Sequence, residues 1–315
     1  MNKIRLGYTV TNPFLKNIYK IKTTRTTKLK IVDKYGIEIL KDHAKKNVRD
    51  LIKIIEWNDK ENIQVYRLSC NLIPHINNLR LYDITPKKAF EYKKLDFIRP
   101  ELELIKNLTS EKNHRLSFHL PIYTKLASPN NEVLSNSIYT IEQYANIIDL
   151  ICPDNGVMVL HVGGIYNDKE RTMKRWSYNY KERLSNKAKK YLALENDEFQ
   201  YSLNDCLQIH QETRVPIIAD VFHHECYRLK KRDKTYLKDL ILPVLNSWKG
   251  KRAKFHLSEQ GTGRIGKHAD NIEIIPRPLI DLCHKDVKID LMLEAKNSLD
   301  SLLYLRNKYN CLKLK

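Results

Sequence analysis

Residues 191–220 read YLALENDEFQYSLNDCLQIHQETRVPIIAD. A short apolar, β-rich run (191–195) ends on a glutamate. A helix-period segment follows at 202–212, and a second apolar run (215–220) ends on an aspartate. This is the pattern of a strand, a crossover helix and a parallel strand. The unit recurs. Runs at IRLGYTV (4–10), IQVYRLS (63–69), RLSFH (115–119), VMVLHV (157–162), AKFHLS (253–258) and KIDLMLE (288–294) bring the count of apolar runs to eight. Helix-period segments separate them at 41–56, 134–151, 237–246 and 297–308. In the first of these, Val48, Leu51, Ile52 and Ile55 follow the i, i+3, i+4, i+7 spacing. Eight βα units in sequence predict an α/β protein, a (β/α)8 TIM barrel forming one domain over residues 1–315. An open doubly wound sheet would need a Gly-rich turn after its first strand. The chain has 9 Gly in all and reads TVTNPF there. Residues 14–40 fit no strand and read as a basic inserted loop, with Lys20, Lys22, Arg25 and Lys28 among its cations.

The composition narrows the function. Of 315 residues 42% are hydrophobic, enough for a sizeable core and against disorder as the main state. No apolar run is long enough to span a membrane, and MNKIRLGYTV lacks the apolar core of a secretion signal. The 6 Cys are scattered without a CxxC pair, which fits a reducing intracellular compartment, cytoplasm or nucleus, and no thiolate zinc site. The formal net charge of +19 favours a polyanionic partner, nucleic acid first. The block 169–190 (KERTMKRWSYNYKERLSNKAKK) is strongly basic and carries Trp176, Tyr178 and Tyr180, where stacking surfaces would belong. A solvated basic helix face is an equal reading of that block.

The chemistry lies at the strand ends. His119 ends the third run and His161 lies near the end of the fourth. Glu195 ends the fifth and Asp220 the sixth, with His223 three residues on. His256 lies near the end of the seventh, and Glu294 ends the eighth. In a barrel these ends converge on the face where active sites sit. Such a mixture of imidazoles and carboxylates suits divalent ions of the Mn, Fe or Zn type. It exceeds the needs of one tetrahedral ion, so two or three ions are expected, a device of phosphoryl chemistry. His268 in the Gly-rich GTGRIGKHAD loop and His75 in LIPHINN are further candidates, His75 as a ligand or a phosphate contact. Lys254 sits two residues before His256 and shares its inward face. Beside cations an ammonium must be neutral, face a phosphate, or be carboxylated into an anionic ligand.

These residues stand in words that resemble the UV damage endonucleases. The words are RLGYTVTN (5–12), YRLSCNLIPH (66–75), RLSFHLPIYTKLASP (115–129), LHVGGIYNDKE (160–170), LALENDEFQYS (194–202), PIIADVFHHE (216–225), KFHLSEQ (254–260), KHAD (267–270) and DLMLEAK (290–296), in the family's order. The resemblance implies a barrel related to endonuclease IV, with a divalent metal cluster, typically Mn2+, with Zn2+ or Mg2+ as alternatives. It implies a nuclease that nicks damaged double-stranded DNA on the 5′ side of pyrimidine dimers and 6-4 photoproducts. It carries metal ligation onto His119, His161, Glu195, Asp220, His223, His256, His268 and Glu294, and matches Lys254. It places Tyr8, Asn12 and Tyr123 toward DNA. Where relatives commonly have a polar Gln before the aromatic of the third-strand loop, this chain has Ile122, which could act only as an apolar wedge. Glu195, Glu294 and Lys254 are the expected catalytic groups. A monomer without membrane attachment is the expected state. The rival readings are a sugar isomerase or epimerase on the same barrel class and a non-catalytic damaged-DNA-binding protein.

Overall fold

A computed structural model describes residues 3–313. Eight parallel strands close in sequence order: β1 (Ile4–Thr9), β2 (Val65–Leu68), β3 (Arg115–His119), β4 (Val157–His161), β5 (Leu192–Glu195), β6 (Ile217–Asp220), β7 (Ala253–Leu257) and β8 (Ile289–Leu293). Around them run α1 (Pro13–Tyr19), α2 (Leu29–Tyr35), α3 (Glu38–Lys60), α4 (Arg80–Ile84), α5 (Pro86–Lys94), α6 (Arg99–Glu111) and α7 (Asn131–Ile151). The ring continues with α8 (Lys169–Arg183), α9 (Asn186–Tyr191), α10 (Leu203–Thr213), α11 (Val221–Lys231), α12 (Leu237–Ser247), α13 (Arg277–Ile280) and α14 (Ser298–Lys308). Each strand run read from the sequence is a strand, trimmed by one or two residues at its ends. The α10 helix starts on a capping box between Ser202 and Asp205.

The segment 14–40 is more than a loop. It holds α1 and α2, and Leu15, Ile21, Val32, Ile37 and Leu40 are buried. Between the two helices the chain is strapped to α3. Lys22 N donates to Asp50 Oδ2 at 3.1 Å, and Arg25 N to Asn47 Oδ1 at 3.0 Å. The Arg25 guanidinium pairs with Asp50 at 2.7 Å, so it anchors the strap and is not available to a phosphate. In the basic block 169–190, Trp176 and Tyr180 are buried and stack on each other at 5.4 Å, leaving Tyr178 outside. Those two rings form helix packing rather than a stacking surface.

Strand alternation sends every second side chain inward. At the amino-terminal end of the barrel the inward layer is ionic. Arg5 grips Asp290 with a fork, Nε to Oδ1 at 2.7 Å and Nη2 to Oδ2 at 2.9 Å. Arg115 Nη1 lies 2.8 Å from Asp290 Oδ2. Gly7 leaves the room that β1 needs, since a Cβ there would lie 2.5 Å from Val65 Cγ1.

Burial alone would raise the Asp290 carboxyl, but Arg115 and Arg5 hold it below the usual carboxylate range. Removing one partner of a buried pair leaves the other charges uncompensated. Asp290→Asn is therefore expected to cost about 3–5 kcal/mol at neutral pH. Because the folded carboxyl is the stronger acid, its contribution is complete above about pH 4 and is lost as pH falls through the lowered folded value. Urea unfolding of both chains between pH 7 and 3 should show a constant gap that narrows at the acid end. A gap as wide at pH 3 as at pH 7 would contradict the assignment.

Candidate metal centre

At the opposite, carboxyl end of the barrel the inward residues are those read from the strand ends. Glu195 is fully buried and central. Its Oε2 lies 3.1 Å from His119 Nε2 and 3.3 Å from His161 Nε2, and its Oε1 lies 2.5 Å from His256 Nδ1. His256 Nδ1 also lies 2.8 Å from Glu294 Oε1. Donor atoms of His119, His161 and Glu195 lie within 4.8 Å of one another, as do those of Glu195, Asp220, His256 and Glu294. Glu195 is common to both groups.

Asp220 caps α11, accepting from His223 N at 2.8 Å, so the D-x-x-H spacing is a helix start that turns both side chains to one side. His223 Nε2 is 3.4 Å from His268 Nε2, and the His161, His223 and His268 rings follow one another at 5.8 and 5.6 Å. A bridge between Gln260 and His268 brings the glycine-rich loop over the basin. There His268 Nδ1 meets Glu294 O at 2.9 Å. All eight residues expected as ligands thus line one basin.

The charges in the basin are mutually supporting. Burial would raise the Glu195 carboxyl, yet His256 and His161 hold it well below its ordinary value. Glu294, also buried, is lowered by Arg67 and then by His256. Burial opposes protonation of His223, but Asp220 and Glu195 outweigh it and lift His223 to about 9. His161, where burial wins, is pushed down to about 4. Three buried ligand-type atoms, Asp220 Oδ2, His161 Nδ1 and His256 Nε2, have no hydrogen-bond partner among the described residues. Buried polar atoms are rarely left so. Imidazole and carboxylate donors crowded around orphaned lone pairs fit divalent cations.

Other expected site residues lie elsewhere. His75 is outside the basin: its Nε2 bonds Thr27 O at 2.7 Å and its Nδ1 meets Asn78 Nδ2 at 3.1 Å, which ties the 14–40 segment to the loop after β2. Tyr8 and Asn12 are buried, not turned to DNA. Tyr8 points to the outer side of β1 and donates to Asn58 Oδ1 at 2.7 Å, while Asn12 caps α1 through Leu15 N at 3.0 Å. Ile122 and Tyr123 do stand out, 86% and 61% exposed, and Asn77 Nδ2 donates to the Tyr123 hydroxyl at 2.9 Å. Lys254 is inside the barrel but fully buried, and its Nζ makes no hydrogen bond among the described residues. Burial, then Arg115, push it to about 7. It lies two residues before His256 on the inward face of β7, below the strand-end residues. His114, just ahead of β3, is buried outside the basin.

Two basin residues were not picked from the sequence. Arg67 on β2 pairs with Glu294. Its signal was present, an inward-facing cation on β2 at the end of the barrel where other strands deliver carboxylates. Asn196 brackets the β6 end, its Nδ2 donating to Asp220 O at 3.0 Å and its Oδ1 accepting from Asp220 N at 2.9 Å.

The model of the UV-endonuclease UvdE family matches residues 4–313. A protein of Acanthamoeba polyphaga mimivirus is 31% identical over 315 residues, covering 98% of this chain and 92% of that protein. The UV-damage endonuclease of Schizosaccharomyces pombe is 30% identical over 320 residues, 97% of this chain but 50% of that longer protein. The crystal structure of SacUVDE superposes with a TM-score of 0.82 at 28% identity, covering 98% of this chain and 100% of the other. Endonuclease IV from Thermus thermophilus (TM-score 0.56, 12% identity) and a D-psicose 3-epimerase from Clostridium cellulolyticum (0.53, 13%) share the fold alone.

Since Glu195 is common to both donor groups, Glu195→Gln should lower the content of divalent ions by at least one per chain. Elemental analysis after Mn2+ loading and gel filtration reads this, with circular dichroism as the check on folding. Unchanged metal content in a folded variant would remove Glu195 from the ligand set.

Proposed function

The chain belongs to the UV-endonuclease UvdE family, and on that footing we propose that it is a metal-dependent DNA repair endonuclease. It nicks duplex DNA 5′ of cyclobutane pyrimidine dimers and 6-4 photoproducts and leaves a 3′-hydroxyl and a 5′-phosphate. The observation that carries this reading is the single basin of His119, His161, Glu195, Asp220, His223, His256, His268 and Glu294 at the carboxyl end of the barrel. Those side chains would hold two or three divalent ions, Mn2+ first. When bound, such ions make water acidic enough to attack at neutral pH and offset charge on the phosphoryl oxygens.

The protein's own groups set the stage for that chemistry. Glu195 presents one oxygen to His119 and His161 and the other to His256, so it would contribute to holding ions at both groups of donors. Glu294 is steadied through Oε1 by Arg67 and His256. Lys254, beneath them, adds positive potential without touching the substrate. Asn196 fixes the backbone of Asp220.

Substrate selection is assigned to the loop after β3. His119 holds its start at the basin, Thr124 N closes a turn on Pro121 O at 2.8 Å, and Ser137 Oγ accepts from Lys125 N at 2.8 Å. Ile122 and Tyr123 are left projecting. A damaged step is cheaper to unstack, so a wedge and a stacking ring gain most there. The +19 charge supplies phosphate attraction independent of sequence, acting on a monomer.

Irradiated plasmid should be nicked with Mn2+ and left intact with excess chelator, whereas turnover of a ketose without nicking would favour the epimerase reading. Glu294→Gln keeps the shape and removes the charge. Cleavage should fall at least about 10^3-fold with DNA affinity little changed, and near-normal cleavage would sink the assignment. Tyr123→Ala should lower the ratio of damaged to undamaged duplex binding about tenfold, in line with the loss of one stacked base. Metal content should stay at the parent level. A retained ratio together with lost metal or stability would make Tyr123 structural.

A further inference from the structure

A second cavity opens at the amino-terminal end of the barrel, on the face opposite the basin. Its volume is about 240 Å³, and it is walled by the starts of β3, β4 and β5 and by the segments entering β6 and β7. Its charged lining is four cations, Arg115, Lys190, Lys251 and Arg252, against one carboxylate, Asp154. Asp154 is already engaged, accepting from Ser110 Oγ at 2.8 Å.

Arg115 decides what such a cavity can take. It is 3% exposed. Its hydrogen bond to Arg252 O, at 2.8 Å, and its contact with Asp290 both run through Nη1. Among the described residues neither Nε nor Nη2 donates a hydrogen bond. Of the two, Nε has no accessible surface, so Nη2 is the nitrogen that an anion in the cavity would meet, a charge-assisted donor. The group is also held in place. Its plane lies over the Trp248 ring, 5.4 Å from the centroid, and Trp248 is fixed by donating Nε1–H to Ile217 O at 2.7 Å. A donor left unpaired in so closed a place is costly, and an anion seated against Nη2 would pair it. Lys251 and Lys190, both exposed at the rim and the second 3.6 Å from Asp149 Oδ1, add charge that a singly charged carboxylate would use poorly and a phosphate would use well.

We propose that this cavity binds a phosphate-type oxyanion, with Nη2 of Arg115 as its buried donor and Lys190 and Lys251 as its rim charges. The site is separate from the metal basin and does not depend on the nuclease reading. Its ligand is free phosphate or the terminal phosphate of a nucleotide. A bound anion would link the start of β3 to the segments that enter β6 and β7 and would stabilise the folded chain by mass action.

The metal-loaded full chain would be titrated calorimetrically with inorganic phosphate, and separately with a deoxynucleoside 5′-monophosphate, against chloride at equal ionic strength. Saturable phosphate binding with a rise in melting temperature is expected. The Lys190→Ala, Lys251→Ala double variant should weaken it at least tenfold while nicking irradiated plasmid as the parent does. Tighter binding of the nucleotide than of inorganic phosphate would identify a nucleotide as the ligand, and equal affinities would identify phosphate itself. Crystals soaked in tungstate should show density against Arg115. Three results would overturn the proposal: phosphate indistinguishable from chloride, undiminished binding by the double variant, or tungstate density confined to the opposite face.

Discussion

The contact on which the site depends is the buried carboxylate of Glu195, met by imidazoles from β3, β4 and β7. Without those partners a glutamate at zero exposure would take up a proton. Without the glutamate three imidazoles would crowd one another with no acceptor between them. The barrel makes the meeting possible because parallel strands end at one face and side chains alternate in and out. A shift of one residue in any of these strands would turn its histidine outward.

Below Glu195 the barrel axis is a stack of charge rather than a packed apolar core. Glu195, Asp220 and Glu294 sit at the top, Lys254 beneath, and the Arg5–Asp290–Arg115 cluster at the base. Each layer biases the next. Arg115 helps to push the Lys254 ammonium down, and Arg67 draws the Glu294 carboxyl down. Such interiors cost desolvation in every layer; the base closes its pairs, while Lys254 makes no hydrogen bond among the described residues and meets the cost by its lowered basicity. The apolar mass of the protein lies outside the strands instead, between sheet and helices, where the residues at alternate strand positions, such as Leu116, Phe118, Leu194 and Phe255, are buried.

The eight strands and the strand-end residues of the basin were legible because both follow from period-two alternation, which a single sequence displays, whereas His223 and His268 rested on the D-x-x-H spacing and on the family resemblance. The failures share one cause, a partner far away in sequence. Tyr8 and Asn12 look like polar groups leaving a strand toward solvent. Asn58, 50 residues from Tyr8, converts them into an internal network. His75 sits in a polar loop like a free ligand, but the carbonyl of Thr27, 48 residues away, holds its ring. Trp176 and Tyr180 lie in a highly charged stretch, yet they fall on the inner face of α8. The strap of 20–28 looked unattached because its anchors, Asn47 and Asp50, are themselves polar and give no hydrophobic signal.

The salt bridge at the base of the barrel also orders events in time. Arg5 and Asp290 are 285 positions apart, and β1 pairs with β8 through Ile4–Ile289 to Gly7–Met292. Closure of the cylinder is thus among the longest-range contacts in the chain, and such contacts form slowly. Glu294 follows β8 directly. A chain grown only as far as β7 therefore lacks both the closing strand and the Glu294 carboxylate, so barrel closure and completion of the basin are one event.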